Sequence, residues 1–334
     1  MRVFITGATA PLGRALVDSL LAAPDVELIM AVGRQGEPSP GFDARVVYRA
    51  VDLTRPRALH DLVWGEAQDL GIDAVVHGMQ HRRIDRGAAI HKQNVDATRE
   101  LVLACLDHPT IRRFIYRSFA EVYSHRRTTS DLLDEDSPLD FDPSSQQWVR
   151  DRVEADLTVC THFASKLRIA VLRCAEILAA DTGSQLWDYL QSRVCLRPLG
   201  FDPMLNVMSL PDAVAATNLA LRSTAIGPFN IPGFDTLPLS CAIAESGRGD
   251  IPVPGPLMAP LYGLRRWIAG FEFRYDMNLQ RFHFGGVLDG GRATRMLGYL
   301  PRTPVTWPRS WWHALLERLA TGDDLARAST ARSR

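Results

Sequence analysis

Lysine is almost missing from this 334-residue chain. Of its 38 basic residues only Lys92 and Lys166 are lysine, and arginine supplies the rest. Any chemistry that needs a lysine ammonium has two candidates. An excess charge of either sign is missing too. The 38 basic residues meet 38 acidic ones, which argues against a nucleic-acid partner, because such binding draws on a basic excess or stripe. Cysteine is scarce and scattered: five residues, at 105, 160, 174, 195 and 241, with no CxxC pair. Neither a disulfide scaffold nor a metal site is expected. No apolar run approaches the ~18 residues of a membrane span. The opening MRVFITGATAPLG lacks the plan of a signal peptide and enters a strand at once. The expectation is a soluble, cytoplasmic protein.

Short apolar runs alternate with amphipathic ones. Strands are predicted at 2–6, 27–32, 45–50, 73–77, 113–117 and 168–173. Helical spacing of apolar positions predicts helices over 12–22, 56–69 and 88–107, the last with Val95, Leu101, Val102 and Cys105 inward. This order implies an α/β fold with a Rossmann-type, doubly wound parallel sheet. After about residue 180 proline and glycine become frequent. The expected organisation is therefore a dinucleotide-binding domain over 1–180 and a smaller C-terminal substrate lobe over 181–319, with part of the sheet shared. Residues 320–334 read as a frayed tail.

The first strand runs into Thr6-Gly7-Ala8-Thr9-Ala10-Pro11-Leu12-Gly13 and then a helix. Gly7 permits a sharp turn. A small residue at 10 lets a pyrophosphate approach the backbone. Gly13 lets the helix lie close to the sheet, and the helix N-terminus favours the anion.

TGATAPLG resembles the TGxxGxxG fingerprint of the extended short-chain dehydrogenases/reductases, the NAD-dependent epimerase/dehydratase family. Other stretches agree: Asp52-Leu53, Asp73-Ala-Val-Val-His77, Asn94-Val-Asp-Ala-Thr98, Glu121-Val122-Tyr123, Leu172-Arg173, Phe229-Asn230-Ile231 and Leu297-Gly298-Tyr299-Leu300-Pro301. Together they cover about residues 1–305, and the nearest flavour is a divergent branch similar to UDP-glucose 4-epimerases. The resemblance implies a dinucleotide held by Thr6, Gly7, Ala10, Pro11, Leu12, Gly13, Asp52, Leu53, Gly78 and Asn94. It also implies a nucleotide-sugar or lipid-linked substrate, and a homodimer through the helices near 88–107 and 146–166.

The departures are specific. Ala10 stands at the middle glycine, and Pro11 removes one N–H donor from the turn. Gly33 stands where NAD users carry a ribose-binding carboxylate, and Arg34 follows. Arg34 either accommodates a 2′-phosphate, which favours NADP(H) over NAD(H), or is a solvated loop residue.

The family's chemistry uses a Ser/Thr and a Tyr-x-x-x-Lys pair on one helical face. None of the seven tyrosines here has a lysine four residues later. Alignment through the flanks puts Phe119 at the serine position, with Ser118 just before it. It puts Trp148 at the tyrosine, Arg152 at the lysine and Asp156 at a customary glutamate. Tryptophan is a donor only, and arginine stays protonated, so neither replaces the proton shuttle. Arg152 remains able to hold a ribose or phosphate. Glu121 and Glu176 are weak substitute acid/base groups, with Tyr123 and His125 beside them in the expected cleft. His77-x-x-x-His81 sits at a strand end without a third ligand and reads as structural. In the late lobe, Leu257, Leu261, Leu264 and Ile268 recur at helical spacing. This predicts a helix packed on the lobe's own core, a lid over an apolar substrate, or a membrane-surface contact. Two functions follow: a catalytically atypical epimerase, dehydratase or reductase, or a catalytically silent dinucleotide-binding sensor or scaffold.

Overall fold

The computed structural model describes residues 1–34, 36, 42–79, 87–124, 132–269 and 273–308. His81, His125 and the 320–334 tail lie outside the described residues. Seven strands build the central sheet: β1 (Arg2–Thr6), β2 (Leu28–Gly33), β3 (Val46–Ala50), β4 (Ala74–His77), β5 (Arg113–Phe119), β6 (Arg168–Cys174) and β7 (Gly227–Ile231). All pairs are parallel, in the order β3-β2-β1-β4-β5-β6-β7. The strands are near-continuous apolar runs because helices cover both faces. Val3, Ile5, Ile115 and Leu172 face the helices Pro11–Leu21 and Leu210–Arg222. Phe4, Val75, Phe114 and Val171 face the helices Ala97–Leu106 and Gln147–Cys160.

The strand order reverses between β1 and β4, where Thr6 is paired with His77. The crevice above that point is where an open α/β sheet takes its ligand. The expected helices over 56–69 and 88–107 form, but each carries a wider π stretch, Leu62–Ala67 and Lys92–Asp96. After residue 180 the chain builds small sheets of its own, yet it returns through Leu210–Arg222 to add β7 to the main sheet. The lobe's core is aromatic, with Tyr189, Tyr262, Phe273 and Phe282 meeting edge to face.

In this lobe one of the three expectations for the leucine stripe, packing on the lobe's own core, is not met. Leu257 and Leu264 of the helix Gly255–Ala269 are 52% and 51% exposed, and Leu261 is exposed as well. The helix turns Met258 and Tyr262 inward instead. The cause is polar: the Tyr262 hydroxyl accepts from the Leu196 N–H at 3.1 Å, and Arg265 donates to the Val194 carbonyl at 2.7 Å. These bonds fix the inner face against the strand Val194–Pro198, and aliphatic spacing carries no record of them. The Ile268 side chain lies outside the described residues.

Candidate dinucleotide crevice and arginine cluster

At the crevice floor Thr6 organises the backbone. Its Oγ1 lies 2.8 Å from His77 Nδ1 and accepts from the Gly78 and Met79 N–H groups, both at 3.1 Å. The Thr98 hydroxyl donates to the Asn94 carbonyl at 2.7 Å, so it accepts from His77 Nε2 at 2.9 Å. The proton therefore sits on Nε2, and Nδ1 accepts from Thr6. Burial holds this ring neutral, with its pKa lowered to about 3. With both nitrogens engaged, His77 is a structural histidine, and the described residues hold no cluster suited to a metal.

That depressed pKa has a consequence for stability. Below about 6.5 the unfolded chain binds a proton at His77 that the folded chain refuses. Stability is thus fully present above that pH and falls as pH drops towards 3, by up to about 1.4 kcal/mol per pH unit. Urea unfolding at stepped pH reads this limb. It should flatten in His77→Gln, and an equally steep limb there would refute the assignment.

The turn after β1 suits a phosphate. Gly7 has φ +72°, a conformation in which a Cβ is strained. A Cβ on Gly13 would meet Ala8 Cα at 2.7 Å and the Gly7 carbonyl closer still. Ala10 is the extended residue that precedes the helix, with φ −74° and ψ 157°, so no glycine is needed there. Pro11 occupies the first helical turn, where its missing N–H is one of the unpaired ones in any case. The Leu12 and Gly13 amides remain to face an anion.

At the adenine end, a Cβ on Gly33 would come within 2.5 Å of the Tyr48 hydroxyl, so a side chain there would have to displace Tyr48. Arg34 is exposed and donates to Gln93 Oε1 at 2.9 Å. Asp52 accepts from the Thr54 hydroxyl at 2.8 Å and amide at 3.1 Å, and these bonds, with Arg34 and Arg55 nearby, hold its pKa down. The Leu53 side chain is core. Asn94 is buried in the π stretch. These residues fit a dinucleotide.

Beyond the crevice the residues expected at the family's catalytic positions lie together. The Arg152 guanidinium lies 3.7 Å from the centroid of Phe119 and 4.6 Å from that of Trp148. Trp148 is buried, packs on Met277 of the helix Tyr275–Phe284, and has no acceptor for its indole N–H among the described residues. Arg152 pairs with Glu121 at 3.2 Å, and Arg281 reaches Glu121 at 3.6 Å and Glu176 more closely. Glu176 also accepts from the Ser184 hydroxyl at 2.8 Å and the Leu186 amide at 3.1 Å. Between these groups a cavity of about 30 Å³ remains, room for one water.

Two residues in this cluster escaped the sequence reading. Arg117 stacks on Phe119 at 4.4 Å, and its place two residues before that position could have flagged it. Arg281 comes from a helix with no motif. Tyr123, expected in the cleft, is instead fully buried. Its hydroxyl donates to Asn230 Oδ1 at 2.6 Å and accepts from Arg173 at 3.1 Å. Ser118 likewise turns away from the cleft and donates to Asp156 at 2.5 Å.

The chain resembles known proteins along most of its length. An uncharacterized protein of Mycobacterium tuberculosis is 28% identical over 313 residues, covering 90% of this chain and 80% of that one. UDP-glucuronic acid 4-epimerase from Bacillus cereus, solved with NAD, superimposes with TM-score 0.67 at 17% identity, covering 91% and 94% of the two chains. A short-chain dehydrogenase/reductase superfamily protein from Agrobacterium tumefaciens, solved with bound NAD, gives 0.66 at 20% identity over 99% and 100%. Residues 3–192 match the family model for the NAD dependent epimerase/dehydratase family. With a seven-stranded Rossmann-type sheet, a glycine turn at its switch point and this match, the chain belongs to the NAD dependent epimerase/dehydratase family of extended short-chain dehydrogenases/reductases.

Proposed function

We propose that this chain binds a nicotinamide dinucleotide, NADP(H) ahead of NAD(H), and holds it without proton-coupled turnover, as a sensor or scaffold. One observation carries the reading. Trp148 and Arg152, which align with the family's tyrosine and lysine, lie together with the Arg152 guanidinium over both the Trp148 and Phe119 rings, and neither side chain both gives and takes a proton. A bound dinucleotide would supply hydride exchange at its nicotinamide. Thr6, Gly7, Leu12 and Gly13 would hold its phosphates, and Arg34, with the side-chain-free Gly33 before it, would receive a 2′-phosphate. Turnover of a nucleotide-sugar or lipid-linked substrate through Glu121 or Glu176 is the second reading, supported by Glu121 lying against Arg152.

The test is calorimetric titration of nucleotide-free protein with NADPH and NADH, followed by incubation with UDP-glucuronic acid. The expected result is tighter NADPH binding and no product. Product that disappears in Glu121→Gln or Glu176→Gln would establish the second reading, and absence of binding would sink both. Sedimentation of the loaded sample checks for a homodimer. That proposal is supported by an open groove lined by Leu103, Phe141 and Leu157 across the two long helices.

A further inference from the structure

Arg117 is a desolvated cation that Glu121 attracts without pairing with it. Among the described residues its guanidinium makes no hydrogen bond or ion pair, and its Nε is sealed from solvent without an acceptor. Its company is the Phe119 ring at 4.4 Å, whose centroid lies 3.7 Å from a second guanidinium, Arg152. Arg152 in turn covers Trp148, whose indole N–H is also sealed and unpartnered although the residue is only 7% exposed. Around one phenyl ring the fold has gathered two positive charges and two sealed N–H groups with no acceptor.

The carboxylates balance this only in part. Among the described residues Arg117, Arg152 and Arg281, three guanidiniums, face Glu121 and Glu176. Arg281 lies against both carboxylates, and Glu176 is further occupied by Ser184 and Leu186. Burial disfavours the charged form of Arg152 most, and the neighbouring Arg117 adds to this against the pull of Glu121. A buried donor is ordinarily satisfied, and an exception calls for an explanation. Packing alone would be served by apolar residues at these positions without the desolvation of two guanidiniums.

We propose that Arg117, Arg152 and Trp148 form an oxyanion site, which takes the carboxylate or phosphate group of a small molecule over the Phe119 ring. The group presents acceptors to the Arg117 fork and to the indole N–H, and restores neutrality between the two guanidiniums. Arginine suits this task because its planar fork matches a carboxylate or phosphate edge. The site is separate from the phosphate turn of the crevice, and it stands whether or not a dinucleotide binds.

The Trp148 indole N–H is a local reporter. It is one of seven indole signals in a nitrogen-15 spectrum of the full chain, and it is assigned by its loss in Trp148→Phe. Sodium acetate and inorganic phosphate are titrated separately at constant ionic strength. The expected result is a saturable shift of this one signal. Its midpoint should rise roughly tenfold or more in Arg117→Met, since a charge-assisted bond is lost, while the other six signals keep their positions. Saturation by acetate at the lower concentration identifies a carboxylate ligand, and by phosphate a phosphate ligand. A Trp148 signal that neither anion moves, or that moves alike in Arg117→Met, overturns the proposal. Phosphate held only at the glycine turn falls in the latter case.

Discussion

Asp156→Ala should lower the unfolding free energy by about 3–5 kcal/mol, the range for removing one partner of a buried ion pair. The Asp156 side chain is fully buried, and Arg173 donates to it twice, through Nη2 at 2.8 Å and Nε at 3.2 Å. Ser118 adds a third bond at 2.5 Å. Without the carboxylate, Arg173 stays inside with a full charge. It cannot leave easily, because Nη1 also donates to the Tyr123 hydroxyl at 3.1 Å and the Glu135 carbonyl at 3.2 Å. From there the chain of bonds continues to Asn230, whose amide donates to Glu135 Oε1 at 2.8 Å and whose side chain donates to the Leu133 carbonyl at 2.8 Å. The network joins the helix Gln147–Cys160, β5, β6, β7 and residues 133–135.

The double variant Asp156→Leu/Arg173→Met separates charge from shape. If the cost of Asp156→Ala comes from the orphaned guanidinium, the double variant recovers most of it, since apolar replacement of a buried pair is often neutral. Urea denaturation of wild type and both variants at neutral pH gives the comparison. A loss below about 1 kcal/mol for Asp156→Ala would be the size of an exposed pair and would remove the network from the list of what holds the sheet to its helix.

This network also shows where the sequence was legible. Leu172-Arg173, Asp156 and Phe229-Asn230-Ile231 were each visible as motifs. Their purpose was not, because it depends on three chain segments meeting in space. The sheet was readable because its strands are continuous apolar runs with glycine or polar breaks, a local signal. The turn at Gly7–Gly13 was readable for the same reason. The leucine stripe of the helix Gly255–Ala269 does not show which face is buried, since a tyrosine hydroxyl and an arginine, not its leucines, decide that. Phe119, Trp148 and Arg152, grouped by register in the sequence, are neighbours in the structure, with Arg152 over both rings. Arg281 was invisible because its neighbours in that site lie 105 and 160 positions away, counted from Glu176 and Glu121.

Gly13→Ala should cost more in dinucleotide binding than any other single methyl added to the turn. The new Cβ would sit 2.7 Å from Ala8 Cα, 2.8 Å from the Gly7 carbonyl carbon, and closer still to its oxygen. These are backbone atoms of the strand exit, so no side-chain rotation relieves the contact. The helix Pro11–Leu21 must move off the sheet, carrying the Leu12 and Gly13 amides with it. Overpacking of this kind typically costs about 1–3 kcal/mol of stability, because Leu16, Val17 and Leu20 lose their fit in the core as well. Binding should fall by roughly a hundredfold, since the phosphate relies on amides pointing at one spot. Ala10→Gly is the control. Ala10 has φ −74°, which any residue adopts, so restoring the family's glycine should change stability by no more than about 1 kcal/mol. Calorimetry with NADPH at a temperature where circular dichroism shows both variants folded separates lost binding from lost fold. Gly13→Ala protein that is folded and binds as wild type would take the dinucleotide away from this turn.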